Sequence, residues 1–325
     1  MNVLVTGGGG FIGGHLVKSL IADGHQVRAV DVKPIDEWWQ VHPEAENRAS
    51  TDLQLREHCF SAADGIDHVY NLAADMGGMG FIENNKAACM LSVLISTHML
   101  EASVAAGVSR LFYSSSACVY AAEHQTDPNV TALKESDAYP AMPEDGYGWE
   151  KLFSERMARH FSEDYGIETR IGRYHNVYGP NGSWTGGREK APAALCRKVA
   201  TCALTGADEV DVWGDGLQTR SFMFMDDCVE GTKRLMASDV VDPINIGSSE
   251  LVTINGLIDI ISDIAGIEVK RTHDLTAPQG VRGRNSDNAL ILDQLGWEPS
   301  TSLRDGLAVT YAWVHDQVAA SLAAT

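Results

Sequence analysis

Val3-Leu-Val-Thr-Gly-Gly-Gly-Gly-Phe-Ile-Gly13 decides the fold. Val3 to Val5 reads as a short strand, and the glycines that follow read as a turn. From Phe11 to Ala22 apolar residues return at helical spacing (Ile12, Leu16, Leu20, Ile21), and Gly24 closes the helix. Val27 to Val30 reads as the next strand and ends at Asp31. The glycines fit Gly8-x-Gly10-x-x-Gly13 and equally the wider Gly7-x-x-Gly10-x-x-Gly13. Either spacing lets a pyrophosphate lie against bare backbone at a helix N-terminus. A carboxylate at Asp31 binds a ribose 2′-OH and repels a 2′-phosphate, which favours NAD over NADP. Gly7, Gly10, Phe11, Ile12, Gly13 and Asp31 are the expected cofactor contacts. Asp52 reads equally as an adenine contact or a helix N-cap.

Working outward, His68 to Leu72 reads as a strand, about 84–106 as a long helix, and Arg110 to Tyr113 as a further strand. This alternation implies a Rossmann-type, doubly wound parallel sheet covered by helices. Past Pro143 the pattern becomes mixed. A helix is expected from Tyr147 to Asp164, strands at Glu168 to Ile171, Val210 to Trp213 and Pro243 to Ile246, and helices at Asp226 to Met236 and Leu303 to Val318. No flexible linker separates the halves. The division is therefore 1–172 for an NAD-binding domain, to which about 210–240 returns, and 173–325 for a smaller, interleaved C-terminal α/β lobe that binds substrate.

Composition limits the partners. The 325 residues include 44% hydrophobic and 21% charged side chains, the balance of a folded globular chain. With 25 basic against 44 acidic residues the net charge is −19, which repels nucleic acid and anionic lipid. The longest apolar runs, such as Met90 to Ile95, fall short of the ~20 residues of a membrane span. Six scattered cysteines without a C-x-x-C pair argue against a disulfide framework or a metal site. The N-terminus lacks a secretory pattern, so a cytoplasmic location is expected.

Tyr147-x-x-x-Lys151 places a phenol and an ammonium on one face of a helix. The cation stabilises a phenolate and makes the tyrosine a usable base for an alcohol proton. Ser114-Ser115-Ser116, at the end of the preceding strand, offers hydroxyls to the same alcohol. Together with the glycine turn, this set resembles the extended short-chain dehydrogenase/reductase superfamily, whose members use tightly held NAD on nucleotide sugars.

Longer segments narrow the resemblance to the GDP-mannose 3,5-epimerase family. They are Asn71-Leu-Ala-Ala-Asp-Met-Gly-Gly-Met-Gly-Phe81, Ser115-Ser-Ala-Cys118, Asp145-Gly-Tyr-Gly-Trp-Glu-Lys151, Gly172-Arg-Tyr-His-Asn-Val-Tyr-Gly-Pro180, Gly186-Gly-Arg-Glu-Lys-Ala-Pro-Ala-Ala194, Trp213-Gly-Asp-Gly-Leu-Gln-Thr-Arg-Ser-Phe222 and Val281-Arg-Gly-Arg-Asn-Ser-Asp-Asn288. The resemblance implies oxidation at C4 of GDP-mannose, inversion at C3 and C5, and return of the hydride, giving GDP-L-galactose and also GDP-L-gulose. It implies Cys118 as base and Lys190 as acid, beside Tyr147, Lys151 and Ser116. Gly77, Gly78, Ser116, Asn176 and Glu189 would meet the sugar. Arg188, Lys198, Gln218, Arg220 and Arg284 would meet the diphosphate or guanosine, with Arg282 the weaker candidate of its motif. A homodimer through the helices near 84–106 and 147–164 is also implied. The competing readings are a 4-epimerase or dehydratase on another nucleotide sugar, in which Cys118 and Lys190 are bystanders, and a non-catalytic NAD-binding scaffold. His175 reads equally as a packed core histidine.

Overall fold

The computed structural model describes residues 1–277 and 280–324. In chain order the first half runs β1 (Asn2–Thr6), α1 (Phe11–Ala22), β2 (Gln26–Val30), β3 (Glu46–Arg48), α2 (Arg56–Ala63), β4 (His68–Asn71), α3 (Met79–Asn84), α4 (Lys86–Ala106), β5 (Arg110–Ser116), α5 (Tyr147–Tyr165) and β6 (Glu168–Tyr174). The second half continues β7 (Asn176–Tyr178), α6 (Ala191–Thr205), β8 (Glu209–Trp213), β9 (Thr219–Phe224), α7 (Met225–Ala237), β10 (Ile244–Ile246), β11 (Leu251–Thr253), α8 (Ile254–Ala265), β12 (Lys270–Asp274), β13 (Gly283–Arg284), α9 (Ala289–Leu295) and α10 (Leu303–Ala323).

Seven strands form a parallel sheet in the order β10-β6-β5-β4-β1-β2-β3. Its central strands are apolar through both faces, with Val3, Leu4, Val5, Val69, Leu111 and Phe112 buried, as a sheet covered on both sides requires. The chain reverses direction across the sheet between β1 and β4. That reversal opens a crevice at the carboxyl ends of the strands, where ligands of such folds sit. Thr6 Oγ1 donates to Asn71 Oδ1 at 2.8 Å and pins the two strands at that edge.

A second core joins α6, α8 and α10 around Leu195, Val199, Leu257, Ile258, Leu307 and Val314. Here β9 pairs with β11, β13 and β7, while β8 pairs with β12. Of the segment 210–240 expected to rejoin the large sheet, only α7 packs there, beside α1. Strands β8 and β9 belong to the smaller sheets, and β10 adds the outer strand of the large one.

Several boundaries differ from expectation for local reasons. The helix expected from about 84 to 106 is interrupted at Asn85 (φ −130°, ψ 40°), which separates α3 from α4. By length and composition α4 is apolar enough to cross a membrane, which the short apolar runs had not suggested. In the fold its Cys89, Ile95, Met99 and Leu100 are buried against the core.

Candidate active site

The site lies at the carboxyl edge of the large sheet and begins at the glycine turn. Gly10 caps α1 without a side-chain hydrogen bond, leaving backbone amides of the first turn open. A β-carbon at Gly13 would overlap the Gly7 carbonyl, so only glycine lets the turn close this tightly. Phe11 and Ile12 are half-buried beside it. Asp31 is buried and accepts from the Gly9 amide at 3.1 Å and the Lys33 amide at 3.0 Å. The bare amides, the cradle and the carboxylate fit an NAD dinucleotide. Asp52 instead closes a local turn, accepting from the Gln54 amide at 2.9 Å, and α2 starts only at Arg56. Its expected helix N-cap role is therefore not what the fold uses.

The next strand ends carry the reactive groups. Tyr147 is the first residue of α5, and Lys151 follows one turn later on the same face. Lys151 Nζ lies 5.5 Å from the Tyr147 ring centroid and 4.9 Å from that of Tyr113. Burial, with the neighbouring Cys118 next in weight, pushes the Tyr147 phenol well above its ordinary value. Positive charge beside the ring, such as the Lys151 ammonium, acts against that rise. Ser116, at the end of β5, lies close enough to lower the Tyr147 phenol and accepts from the Cys118 amide at 3.2 Å. Ser114 and Ser115 turn away: Ser114 donates to the Asn71 carbonyl and Ser115 to the buried Glu155.

Cys118 stands at the meeting point of both lobes. It is buried in one apolar cluster with Tyr147, Cys89 and Ile82. Arg284 Nη1 reaches its sulfur at 3.7 Å. Strands β9 and β13 pair Arg220 with Arg284 in register, so both guanidinium groups arise at the same level. Lys190, at the head of α6, lies within electrostatic reach of Cys118 and Arg284. Burial lowers the Lys190 ammonium from its usual range, a shift suited to a proton donor. Burial also raises the Cys118 thiol to about 11, with Glu144 adding to the rise and Arg284 opposing it. Arg220 is drawn down to about 9 by burial and by the adjacent Arg284.

The remaining expected substrate contacts divide. Gly78 donates to the Arg188 carbonyl at 3.0 Å, and a β-carbon there would overlap the Glu189 carbonyl. Gly78 thus lies against 188–189, while a β-carbon at Gly77 would meet the Phe81 side chain. Asn176 Nδ2 donates to the Ser221 carbonyl at 3.1 Å. Gln218 Nε2 donates to the Trp213 carbonyl, but its buried Oε1 has no partner and is available to a ligand. Arg188 stacks on Phe81 at 3.8 Å and binds Asp75. Glu189 is held by the Gly187 amide and Arg197. Lys198 is tied to Asp211 of β8 by two bonds of 2.8 Å. Arg282 forms a fork on Asp215 with both bonds at 3.0 Å. Arg284, expected from its motif to meet the diphosphate or guanosine, bonds Cys118, Glu144 and Gln125 in the fold. It belongs to the thiol because β13 enters beside β9 and carries it under residue 118. His175 packs in the core against Tyr120, its Nε2 on Asn245.

Sequence reasoning missed three residues. Gln125 Oε1 accepts from Arg284 Nε at 2.6 Å, and Glu144 pairs with Arg284 Nη2. Glu150 is buried with one oxygen 3.6 Å from Lys151 Nζ, and it accepts from Tyr113 and Ser154. The available signals were the acids just before Tyr147 and just before Lys151.

This fold and site are those of an NAD-linked sugar-nucleotide oxidoreductase. The model of the NAD dependent epimerase/dehydratase family matches residues 3–247, and the chain belongs to that family. It is 49% identical over 319 residues to GDP-mannose 3,5-epimerase 1 of Oryza sativa subsp. japonica, covering 98% of this chain and 82% of that protein. It is 48% identical to GDP-mannose 3,5-epimerase of Arabidopsis thaliana over 98% of this chain and 83% of that one. Among solved structures, UDP-glucose 4-epimerase of Thermotoga maritima with UDP-glucose superposes with a TM-score of 0.87 at 26% identity, covering 98% and 100% of the two chains. MoeE5 in complex with UDP-glucose and NAD superposes with a TM-score of 0.80 at 28% identity, with the same coverage.

Proposed function

We propose that this chain epimerises GDP-mannose at C3 and C5 through a 4-keto intermediate, yielding GDP-L-galactose and also GDP-L-gulose. The observation that carries the reading is the buried Cys118, packed in one cluster with Tyr147 and within electrostatic reach of Lys190. Near-half identity to two plant GDP-mannose 3,5-epimerases along almost the whole chain supports the substrate.

NAD, when bound, takes up and returns the hydrogen at C4. Tyr147 accepts the C4 hydroxyl proton, with Ser116 orienting that hydroxyl and Lys151 supplying the cation that makes a phenolate accessible. A ketone at C4 makes the hydrogens on C3 and C5 acidic, because the carbanions are enolates. Inversion then needs a base on one ring face and an acid on the other. Cys118 takes the proton once it has ionised to the thiolate that Arg284 favours, and Lys190 delivers one from the opposite side. Arg220 and Arg284 add positive charge where the enolate develops. In a chain of net charge −19, this local group of cations also draws an anionic nucleotide sugar to the crevice.

The decisive experiment incubates the protein with GDP-mannose in heavy water and resolves products by NMR. Deuterium at C3 and C5 without net NADH is expected, and label at neither carbon overturns the reading. Cys118→Ser separates it from a 4-epimerase or dehydratase, which would turn over unimpaired.

A homodimer is part of the same proposal. Met90 and Leu91 on α4, with Trp149 and Phe153 on the adjacent α5, present large exposed apolar side chains that a second copy would cover. Light scattering should give twice the chain mass, and the mass of one chain would exclude it. Six free, buried cysteines support a reducing, cytoplasmic location.

A further inference from the structure

We propose that Glu144 is a positioning residue that holds Arg284 against the sulfur of Cys118 and that its own negative charge opposes ionisation of that thiol. Glu144 lies in the segment just before α5 and is tied to residue 118 once directly and once through Arg284. Its amide donates to the Cys118 carbonyl at 2.9 Å, and its carboxylate pairs with Arg284 Nη2. Gln125 holds the Nε edge of the same guanidinium at 2.6 Å, leaving Nη1 aimed at the sulfur at 3.7 Å.

Around the thiol stand Cys89 of α4, itself raised by burial, and the charged or polar groups of the other packed elements. Arg284 arrives from β13, Arg220 from β9, Lys190 from the head of α6, and the neutral Tyr147 from α5. Glu144 is the carboxylate set against these cations. Burial acts to raise Glu144, but the Arg284 guanidinium outweighs it and holds the carboxyl below its usual range, so it stays charged. The carboxylate therefore has two opposed effects. It fixes the cation that favours a thiolate, and it neutralises that cation and repels the thiolate itself. Burial is the first cause that keeps the thiol above its ordinary value, and Glu144 adds to it while Arg284 opposes it.

Glu144→Gln separates the effects, because glutamine keeps the shape and an acceptor oxygen for Arg284 but removes the charge. The thiolate absorbance of Cys118 is titrated in the full-length protein, using Cys118→Ser and the Glu144→Gln/Cys118→Ser double variant as blanks. The midpoint in Glu144→Gln is expected to fall on the order of one to two pH units. The rising limb of the pH profile for deuterium exchange into GDP-mannose should move in the same direction. An unmoved or raised midpoint overturns the proposal. If Glu144→Gln fails to fold, Glu144→Asp withdraws the charge by one methylene. A smaller fall is then expected, and no fall overturns the proposal. The bearing on turnover rests on Cys118 being the base, but the titration does not. Exchange persisting in Cys118→Ser would defeat that reading of the reaction, while the absorbance midpoint would still decide the role of Glu144.

Discussion

The carbonyl oxygen of Cys118 rests against Gly148 so closely that a β-carbon built there would overlap it. This contact seats the first turn of α5 on the segment that carries the thiol, and so fixes the phenol of the preceding Tyr147 relative to it. Gly148→Ala must push one of these two segments away, because the Pro143 side chain closes the other flank. Overpacking of this kind costs about 1–3 kcal/mol. The expected outcome is a lower melting temperature and roughly a tenfold or greater loss of turnover, since small displacements between reacting groups are expensive. Thermal unfolding and steady-state rates check it, and unchanged turnover would show that the contact does not position Tyr147.

Asp31 has both carboxylate oxygens on amides of the cofactor loop, at 3.1 and 3.0 Å. Asp31→Asn keeps the shape and loses the charge. Hydrogen bonds to charged groups contribute about 1.5–3 kcal/mol, so NAD affinity should fall by about 10- to 150-fold. NADP should gain relative to NAD, because repulsion of a 2′-phosphate is relieved. Fluorescence titration with both nucleotides measures the ratio, and an unaltered ratio would remove Asp31 from the ribose.

What could be read from the sequence was what depends on local chain geometry. The glycine turn at 7–13 follows from backbone needs within one strand–helix unit, and Tyr147 with Lys151 follows from helical spacing. The contact of Arg284 with Cys118 could not be read, because it depends on β13 pairing with β9, a register set by distant segments. Strand β3 was legible only as a strand region before Asp52, because Glu46, Asn47 and Arg48 are polar and form an edge. The pairing of Glu144 with Arg284 joins a loop to that same distant strand, and no spacing rule announces it.

Beneath the site, Arg173 and Glu155 form an ion pair with both side chains 2% exposed. Two Arg173 nitrogens bond Glu155, at 2.9 and 2.8 Å, and a third donates to the Glu135 carbonyl, while Ser115 also donates to Glu155. Removing one partner leaves a buried guanidinium uncompensated, which costs about 3–5 kcal/mol. Glu155→Ala should therefore lower the urea midpoint substantially. Replacing both residues by apolar side chains of similar volume should recover much of the loss. If the single variant melts like the parent, the pair contributes nothing to stability.

His175 tests the same core through pH. Its Nε2 meets Asn245 Oδ1 at 3.1 Å, and its Nδ1 is buried without a hydrogen-bond partner. Burial lowers its pKa to about 3, and Arg284 and Arg173 act in the same direction. A histidine near 6.5 in the unfolded chain therefore binds a proton there before it does in the fold. Between about pH 6.5 and 3 the unfolded state holds more protons, so stability rises with pH across that window and is lost as pH falls. At about 1.36 kcal/mol per unit, the full window is worth on the order of 5 kcal/mol. The contribution is complete above pH 6.5 and gone below about 3. His175→Asn cannot titrate, so its denaturation curves should show a flatter loss of stability between pH 6.5 and 4 than the parent. Equal slopes in the two proteins would mean that another group carries the acid sensitivity.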